Sequence, residues 1–402
     1  MNVLPYQMDI NTTNKHTTDA YPEIFEDIAP YTNSQYREGM TKLSNEAGFE
    51  HAMRFIMPEI DYEAFKATLL SVDNIDVFQK QIAGAFLEYL AKKTTGGVSY
   101  EGMEHVKDGK NYTFISNHRD IVLDASFLNL CFIRADKPIT QIAIGNNLLI
   151  YEWIRDLVRI NRCFIVKRDV KPLQALQAAR QLSEYIHYVI NQRRESVWIA
   201  QREGRAKDSN DVTQESLLKM LTLGCDSNSL EALKELNILP VSISYEYDPN
   251  DYLKVREFLL RRRDPDFKKS QHDDLFSMET GILSYKGKVH FTINPPINNQ
   301  LENCDSTSRN DVVRSARTII DNEIHGGYKI YPINYVAFDL LNGVSKFSNH
   351  YDSETVLEVN EYFKKQSELI GIENLSDEEE RFVHEMFLTM YANPLINKLD
   401  SE

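Results

Sequence analysis

The stretch Phe114-Ile-Ser-Asn-His118-Arg-Asp120-Ile-Val-Leu-Asp124 decides the architecture of this chain. Its apolar beginning predicts a buried strand, and a polar turn then leads into an apolar helix predicted at about 124–135. A histidine at such a turn, with carboxylates two and six positions later, can take a proton from an alcohol. Imidazole titrates near neutrality, and a carboxylate can fix its tautomer.

Two carboxylates compete for contact with His118. In a helix, a residue at +2 points away from the reference residue, so Asp120 reaches the imidazole only from an irregular turn. Asp124, at +6, returns to the ring only if the chain bulges before the helix begins. We favour Asp124 because it also starts the apolar run 125–133, and Asp120 stays open as the alternative.

Short apolar runs alternate with helical stretches in the middle of the chain. The predicted strands are Tyr112–Ile115, Gln141–Ile144, Cys163–Val166, Val197–Ala200 and Ile238–Ser244. Strands that are apolar throughout and separated by helices indicate an α/β fold with a mostly parallel mixed sheet flanked by helices. Pro240, inside the last run, predicts a strand start or an edge strand.

The remaining chain divides around this sheet. Residues 1–30 lack periodicity and are predicted to be a flexible arm, and residues 31–95 to form a helical domain. The α/β domain is predicted at 96–300, with a hairpin-like alternation at 281–296. Residues 301–402 are predicted to be a helical C-terminal extension that packs on the α/β domain.

Charged residues follow the ends of three predicted strands. His118 follows the first, Lys167 and Arg168 follow another, and Glu203-Gly204-Arg205-Ala-Lys207 follows a third. Ligands of parallel sheets bind beyond the carboxyl ends of strands, so we expect these groups to converge. The cations and a glycine-bearing turn are suited to a phosphate, and ordinary charged loops are the alternative.

The composition excludes several classes of protein. A formal charge of −15 argues against nucleic acid as a partner, so a phosphate ligand would need a local cationic pocket. No apolar run approaches the roughly 20 residues that span a bilayer, and no signal segment is evident. We expect a cytoplasmic protein, at most peripheral on the inner face of the plasma membrane.

The cysteines argue against a metal site. They show neither a CxxC motif nor a His/Cys cluster at metal-ligand spacing, so we predict no metal and no disulfide framework. The four residues are scattered at positions 131, 163, 225 and 304.

Taken in chain order, four segments resemble the glycerophospholipid acyltransferase superfamily. They are Asn117-His118 with Asp124, Phe164-Ile-Val-Lys167-Arg168, Glu203-Gly204-Arg205, and Ile238-Leu-Pro240-Val. The likeness is strongest to the soluble glycerol-3-phosphate acyltransferases, in which a helical N-terminal domain precedes the α/β domain. It covers roughly residues 95–300.

The resemblance implies an O-acyltransferase of phospholipid biosynthesis. His118 would be the general base, oriented by Asp124 or Asp120. The acceptor-binding group would comprise Lys167, Arg168, Glu203, Gly204, Arg205 and Lys207.

The resemblance also implies the partners. The acyl donor would be acyl-CoA or acyl carrier protein, as a co-substrate and without a cofactor, and glycerol 3-phosphate is the favoured acceptor. Transient contact with a membrane surface is expected, and nucleic acid is not. The alternatives are lysophosphatidate or another lipid acceptor, and a non-catalytic lipid-binding or acyl-carrier-binding protein of the same fold.

Overall fold

A seven-stranded sheet forms the centre of the molecule. The computed structural model describes residues 20–168, 170–225, 227–304 and 308–402. Within them the strands are β1 (Val98–Glu101), β2 (Thr113–Ser116), β3 (Gln141–Gly145), β4 (Cys163–Val166), β5 (Val197–Ala200), β6 (Ile238–Tyr245) and β7 (Val289–Ile293).

The strand order is β1-β7-β6-β2-β5-β3-β4. Strands β6, β2, β5, β3 and β4 are mutually parallel. β7 runs antiparallel to β6, and β1 is parallel to β7. The predicted α/β fold with a mostly parallel mixed sheet is therefore confirmed.

Helices cover both faces of the sheet and extend beyond it. In the described part of the chain no helix has the length and hydropathy needed to cross a bilayer. The α-helices are α1 (Asn33–Ser44), α2 (Ala47–Ile56), α3 (Tyr62–Leu70), α4 (Ile75–Val77), α5 (Gly84–Thr94), α6 (Leu123–Arg134), α7 (Glu152–Ile160), α8 (Pro172–Tyr188), α9 (Glu215–Leu221), α10 (Ser229–Glu235), α11 (Asp251–Arg263), α12 (Gln271–Leu283), α13 (Asn298–Glu302), α14 (Arg309–Gly326), α15 (Pro332–Asn342), α16 (Ser353–Leu369) and α17 (Asp377–Ser401).

The central strands are buried on both faces. Every residue of β2 and of β6 is buried. Successive side chains of a strand point to opposite faces, and accordingly Phe114 and Ile115 belong to two different hydrophobic clusters. This explains why these strands read as continuous apolar runs in the sequence.

Only part of the predicted flexible arm lies within the described residues. Residues 1–19 lie outside the described residues. Residues 20–30, however, pack on the sheet: Phe25 and Ile28 are buried in its core, and Ile165 N donates to Ile28 O at 2.8 Å. For this part of the arm the prediction is wrong, because its apolar side chains bury against α8 and β4.

The hairpin predicted at 281–296 is also wrong. Its first residues end α12, and its last strand residues form β7, which pairs with the distant β6. Gly287, at φ +60°, makes the turn between them, and a Cβ there would lie 2.5 Å from Glu246 Oε2. The alternating residues do form a β-strand, but the strand that pairs with it lies far away in the sequence.

Pro240 is accommodated inside the sheet. Its carbonyl accepts from Asn294 N at 3.0 Å, on the β7 side. The N and O of one strand residue point the same way, so the missing N–H faces that side too. The regular β6–β7 ladder begins at Val241, opposite Ile293, so the missing donor falls just before the ladder. The edge-strand alternative is therefore wrong, and Pro240 lies near the beginning of a central strand.

The C-terminal helices α15–α17 pack on α11 around a cluster of their own. At this contact the buried Asp251 Oδ2 accepts from Tyr362 Oη at 2.6 Å and from Tyr391 Oη at 2.8 Å. Asp251 Oδ1 accepts from Tyr252 N at 2.6 Å. A buried carboxyl with phenolic partners thus joins the C-terminal helices to α11.

Asp251→Asn should flatten the pH dependence of the unfolding free energy. Burial raises the pKa of Asp251 to about 7, above its ordinary value of about 3.9. A raised folded-state pKa contributes stability that is present below about pH 4 and is lost as the pH rises through about 7, by up to about 4 kcal/mol. Urea unfolding across this window measures the change. The exposed variant Asp266→Asn is the matched control, and a wild-type slope in Asp251→Asn would contradict the assignment.

Candidate active site

An irregular elbow joins β2 to α6 and presents His118. β2 ends at Ser116 and α6 begins at Leu123. Between them the buried Asn117 bonds the neighbouring strand twice: its Nδ2 donates to Ile243 O at 2.9 Å, and its Oδ1 accepts from Ile243 N at 2.8 Å. The start of the elbow is thereby tied to β6, and His118 is held at the carboxyl end of β2.

His118 contacts Asp124. The ring Nδ1 lies 2.8 Å from Asp124 Oδ2, which also accepts from Arg119 N at 2.7 Å and Asp120 N at 3.1 Å. The elbow therefore wraps around this carboxylate. When Nδ1–H donates to Asp124, Nε2 carries the lone pair. Of the two carboxylates weighed from the sequence, the one in contact with the ring is that of Asp124.

Asp120 has a different set of contacts. Its Oδ1 accepts from Val122 N at 2.9 Å and from Leu123 N at 2.6 Å, which satisfies free N–H groups at the beginning of α6. Burial, and then the charge of Asp124, raise the pKa of Asp120 above its usual range. Asp120 shapes the elbow and makes no hydrogen bond to the imidazole.

Trp198 packs edge-on against the His118 ring. The ring centroids are 5.8 Å apart at an interplanar angle of 67°. The indole Nε1 donates to Ser116 Oγ at 3.0 Å, so the tryptophan is itself fixed by the end of β2. A packed ring on one side and a hydrogen-bonded carboxylate at Nδ1 leave the imidazole little freedom to turn.

The cations after β4 differ in their contacts. Lys167 forms an ion pair with Asp27 and donates to Gln181 Oε1 at 2.8 Å. Arg168 is held less tightly, since its Nη1 lies 3.7 Å from Glu203 Oε1. The guanidinium of Arg168 lies over Gly145, where a Cβ would be 2.8 Å from its Nε. Glycine at the end of β3 therefore makes room for this side chain.

The charged residues of the turn after β5 differ in exposure and in their partners. Gly204, at φ +69°, supports the left-handed turn, and Glu203 is largely exposed. Arg205 Nη1 lies 3.3 Å from Asn250 Oδ1, with the Asn250 amide oriented so that it also donates to Ser277 O. Lys207 forms an ion pair with Glu257, and burial lowers the pKa of Lys207.

Arg202 is the residue that sequence reasoning missed. It lines the same cavity as His118, Arg168 and Glu203, and its buried Nε has no hydrogen-bond partner among the described residues. No ion pair of Arg202 occurs there either, in contrast to Lys207. Its position two residues after the end of β5 is the feature of the sequence that indicates a place at the site. The motif Glu203-Gly204-Arg205 instead points to the later arginine.

A large apolar cavity extends from His118 under the N-terminal helices. Its volume is about 1410 Å³. Its lining includes His118 and Trp198 together with the cations Lys167, Arg168 and Arg202. The N-terminal helical region contributes apolar side chains, among them Met40, Phe49, Met53, Phe65, Phe78 and Phe86. The site thus joins an imidazole hydrogen-bonded to a carboxylate, local positive charge and a long apolar space.

Comparison with known proteins bears on this site. Residues 97–244 match the family model described as Acyltransferase. No curated protein matches the chain in sequence. Among solved structures, the crystal structure of the 1-acyl-sn-glycerophosphate (LPA) acyltransferase PlsC from Thermotoga maritima matches with a TM-score of 0.35 and 12% identity, over 72% of this chain and 95% of that chain. A superposition this loose carries no information on substrates.

Gly281→Ala should destabilise the protein and disturb the elbow. A Cβ on Gly281 would lie 1.9 Å from Asp120 Oδ2, the carboxylate that supports the beginning of α6. We expect a loss of about 1–3 kcal/mol in unfolding free energy, typical of overpacking. Denaturant unfolding measures it. Gly326→Ala is the matched control, because its Cβ would meet nothing closer than 3.7 Å, and equal stability of the two variants would contradict the packing argument.

Proposed function

We propose that this protein transfers a fatty acyl group from a thioester donor to a hydroxyl of a phosphate-bearing glycerol acceptor. The match of residues 97–244 to the Acyltransferase family model supports this proposal. The observation that carries the proposal is the hydrogen bond between His118 Nδ1 and Asp124, 2.8 Å long, on the wall of an apolar cavity. The resemblance of the motifs, with the expected donor acyl-CoA or acyl carrier protein, agrees with it.

In the proposed reaction His118 acts as general base. Its Nε2 takes the proton of the acceptor hydroxyl, and the alkoxide oxygen attacks the thioester carbonyl carbon. A new C–O bond forms, the C–S bond breaks, and the departing thiolate receives the proton from the imidazolium. Asp124 stabilises the imidazolium while it exists, in the way the carboxylate of a catalytic triad does. No covalent enzyme intermediate is required.

The cavity supports a fatty acyl donor. Aliphatic and aromatic side chains from α1, α2, α3 and α5 line it, so methylene groups bound there would leave water. Such burial contributes about 0.8 kcal/mol per methylene. The N-terminal helices therefore have a role in substrate binding in this proposal, in addition to packing on α7.

The phosphate of the acceptor is assigned to Arg168 and Arg202. Both line the cavity together with His118, and neither is in a tight ion pair among the described residues. A guanidinium offers a planar pair of N–H donors that fits phosphate oxygens. Lys167 also lines the cavity but is paired with Asp27. Arg205 and Lys207 have protein partners too, so we assign none of these three cations to the phosphate.

The acceptor favoured by the resemblance is glycerol 3-phosphate, with lysophosphatidate as the second candidate. The deciding experiment gives purified protein labelled acyl-CoA or acyl carrier protein, and offers the two acceptors separately. The expected product is the acylated acceptor, formed together with free thiol. Thiol release that does not depend on an acceptor would point to a thioesterase. Donor binding without turnover would point to a non-catalytic carrier protein.

His118→Ala should lower turnover by about 10²–10⁴-fold, the usual contribution of a general base. Binding of the donor should be little changed, because the apolar cavity is kept. The measurement is kcat for acyl transfer beside equilibrium binding of the donor. His272→Ala, an exposed histidine on α12, is the matched control. Near wild-type turnover in His118→Ala would rule out the mechanism.

Arg202→Met should raise KM for the phosphate-bearing acceptor by roughly 10- to 100-fold, the loss of a charge-assisted hydrogen bond. It should change kcat much less, because the contact is made equally in the ground state and the transition state. Steady-state kinetics with varied acceptor concentration measures the effect. Exposed Arg37→Met is the control. A larger KM effect from Lys207→Met than from Arg202→Met would reverse the assignment.

A further inference from the structure

Three potential metal ligands converge far from His118. The ligand atoms of His187, Cys225 and Glu235 lie within 4.8 Å of one another. His187 is near the end of α8, Glu235 ends α10, and Cys225 is in the loop before α10. Helices α8 and α10 lead into β5 and β6. The cluster therefore lies towards the amino ends of the strands, opposite the edge that carries His118.

The His187 ring is oriented as a ligand. Its Nε2 lies 3.0 Å from Leu221 O, and because a carbonyl can only accept, Nε2 carries the proton. In the neutral ring Nδ1 then has the lone pair. Nδ1 is buried, has no hydrogen-bond partner among the described residues, and lies 3.6 Å from Glu235 Oε2. With the ring neutral, two acceptor atoms thus face each other, an arrangement that a bound cation would stabilise.

The loop that carries Cys225 is held against α8. A Cβ on Gly224 would lie 2.5 Å from Ser183 C and Glu184 N, so only glycine permits this approach. Ser183 Oγ donates to Leu221 O at 3.0 Å, the same carbonyl that accepts from His187. The position of Cys225 beside His187 therefore follows from packing between backbone segments.

We infer that His187 Nδ1, Cys225 Sγ and Glu235 form a zinc site. Zinc takes nitrogen, sulfur and carboxylate ligands at about 2.0–2.3 Å, which places tetrahedral ligands roughly 3.3–3.7 Å apart. The 3.6 Å separation of His187 Nδ1 and Glu235 Oε2 already meets this spacing. The Leu221 carbonyl supplies the outer hydrogen bond that orients metal-bound histidines.

Metal binding would be balanced by release of one proton. Cys225 would bind as thiolate and lose its thiol proton to solvent. Glu235 is 43% exposed, so the cluster is open to water on the side of this carboxylate. The ion would tie together α8, α10 and the loop between α9 and α10, a structural task remote from acyl transfer. The inference is therefore independent of the proposed function.

The test uses the full chain, freed of metal by a chelator and titrated with Co²⁺ as a spectroscopic substitute for zinc. One equivalent should produce a thiolate-to-cobalt charge-transfer band, and zinc should displace the cobalt and raise Tm. Cys225→Ser should abolish the band, and Glu235→Gln should weaken cobalt affinity by at least about 10-fold. Neither readout depends on enzymatic activity.

Matched controls keep the test decisive. Cys304→Ser removes another cysteine, and Glu231→Gln changes a carboxylate one turn earlier on α10, so both should keep the wild-type spectrum and affinity. Failure of the wild-type protein to give the band, or its persistence in Cys225→Ser, would overturn the site. His187 and Glu235 would then form an imidazolium–carboxylate ion pair without metal.

Discussion

The pair of hydrogen bonds between Asn117 and the backbone of Ile243 is the constraint on which the site depends. A parallel strand that ends without a partner leaves its last residues free to move, but here the side chain of Asn117 extends the β2–β6 pairing by one more link. Because Asn117 is buried, its amide has no water to replace these bonds, and the exit direction of the chain is fixed. The wrapping of the elbow around Asp124 can then hold the His118 ring to a single orientation.

Buried ion pairs next to the elbow help to hold it in place. Arg119 forms an ion pair with Asp211 at 2.6 Å, and its backbone carbonyl accepts from Lys254, whose ammonium is paired with Asp248. Such pairs add little net stability but are costly to break, by about 3–5 kcal/mol when one partner is removed. This polar network lies next to the elbow, while the N-terminal helices line the cavity with apolar side chains. Apolar surface thus lies where an acyl chain is proposed to bind, and hydrogen-bonded polar groups lie where the elbow has to be held in place.

Much of the sheet could be predicted from the chain, since β2 to β6 are apolar runs bounded by turns and helices. The failures share a cause. The alternation around Lys286-Gly287-Lys288 suggested a local hairpin, but β7 pairs with β6, and pairing over long separations has no local signature. Residues 20–30 lack periodicity, yet Phe25 and Ile28 bury against a surface that exists only after the sheet has formed. Arg202 was passed over because the direction of a side chain in a turn depends on backbone angles that a motif does not specify.

By itself, the sequence determined the α/β class, the order of β2 to β6 along the chain and most of the polar residues at the carboxyl ends of these strands. Periodicity and turn chemistry are local, and they are readable without a structure. Only the tertiary structure decided which acid touches His118, which cations face the cavity and which are already paired. It also brought His187, Cys225 and Glu235 together from separate segments. Each of these outcomes depends on distances between residues far apart in the chain, and those distances are set by packing of the whole molecule. The stretch from Phe114 to Asp124 thus predicts a strand, a turn and a histidine, while the folded chain determines which residues they contact.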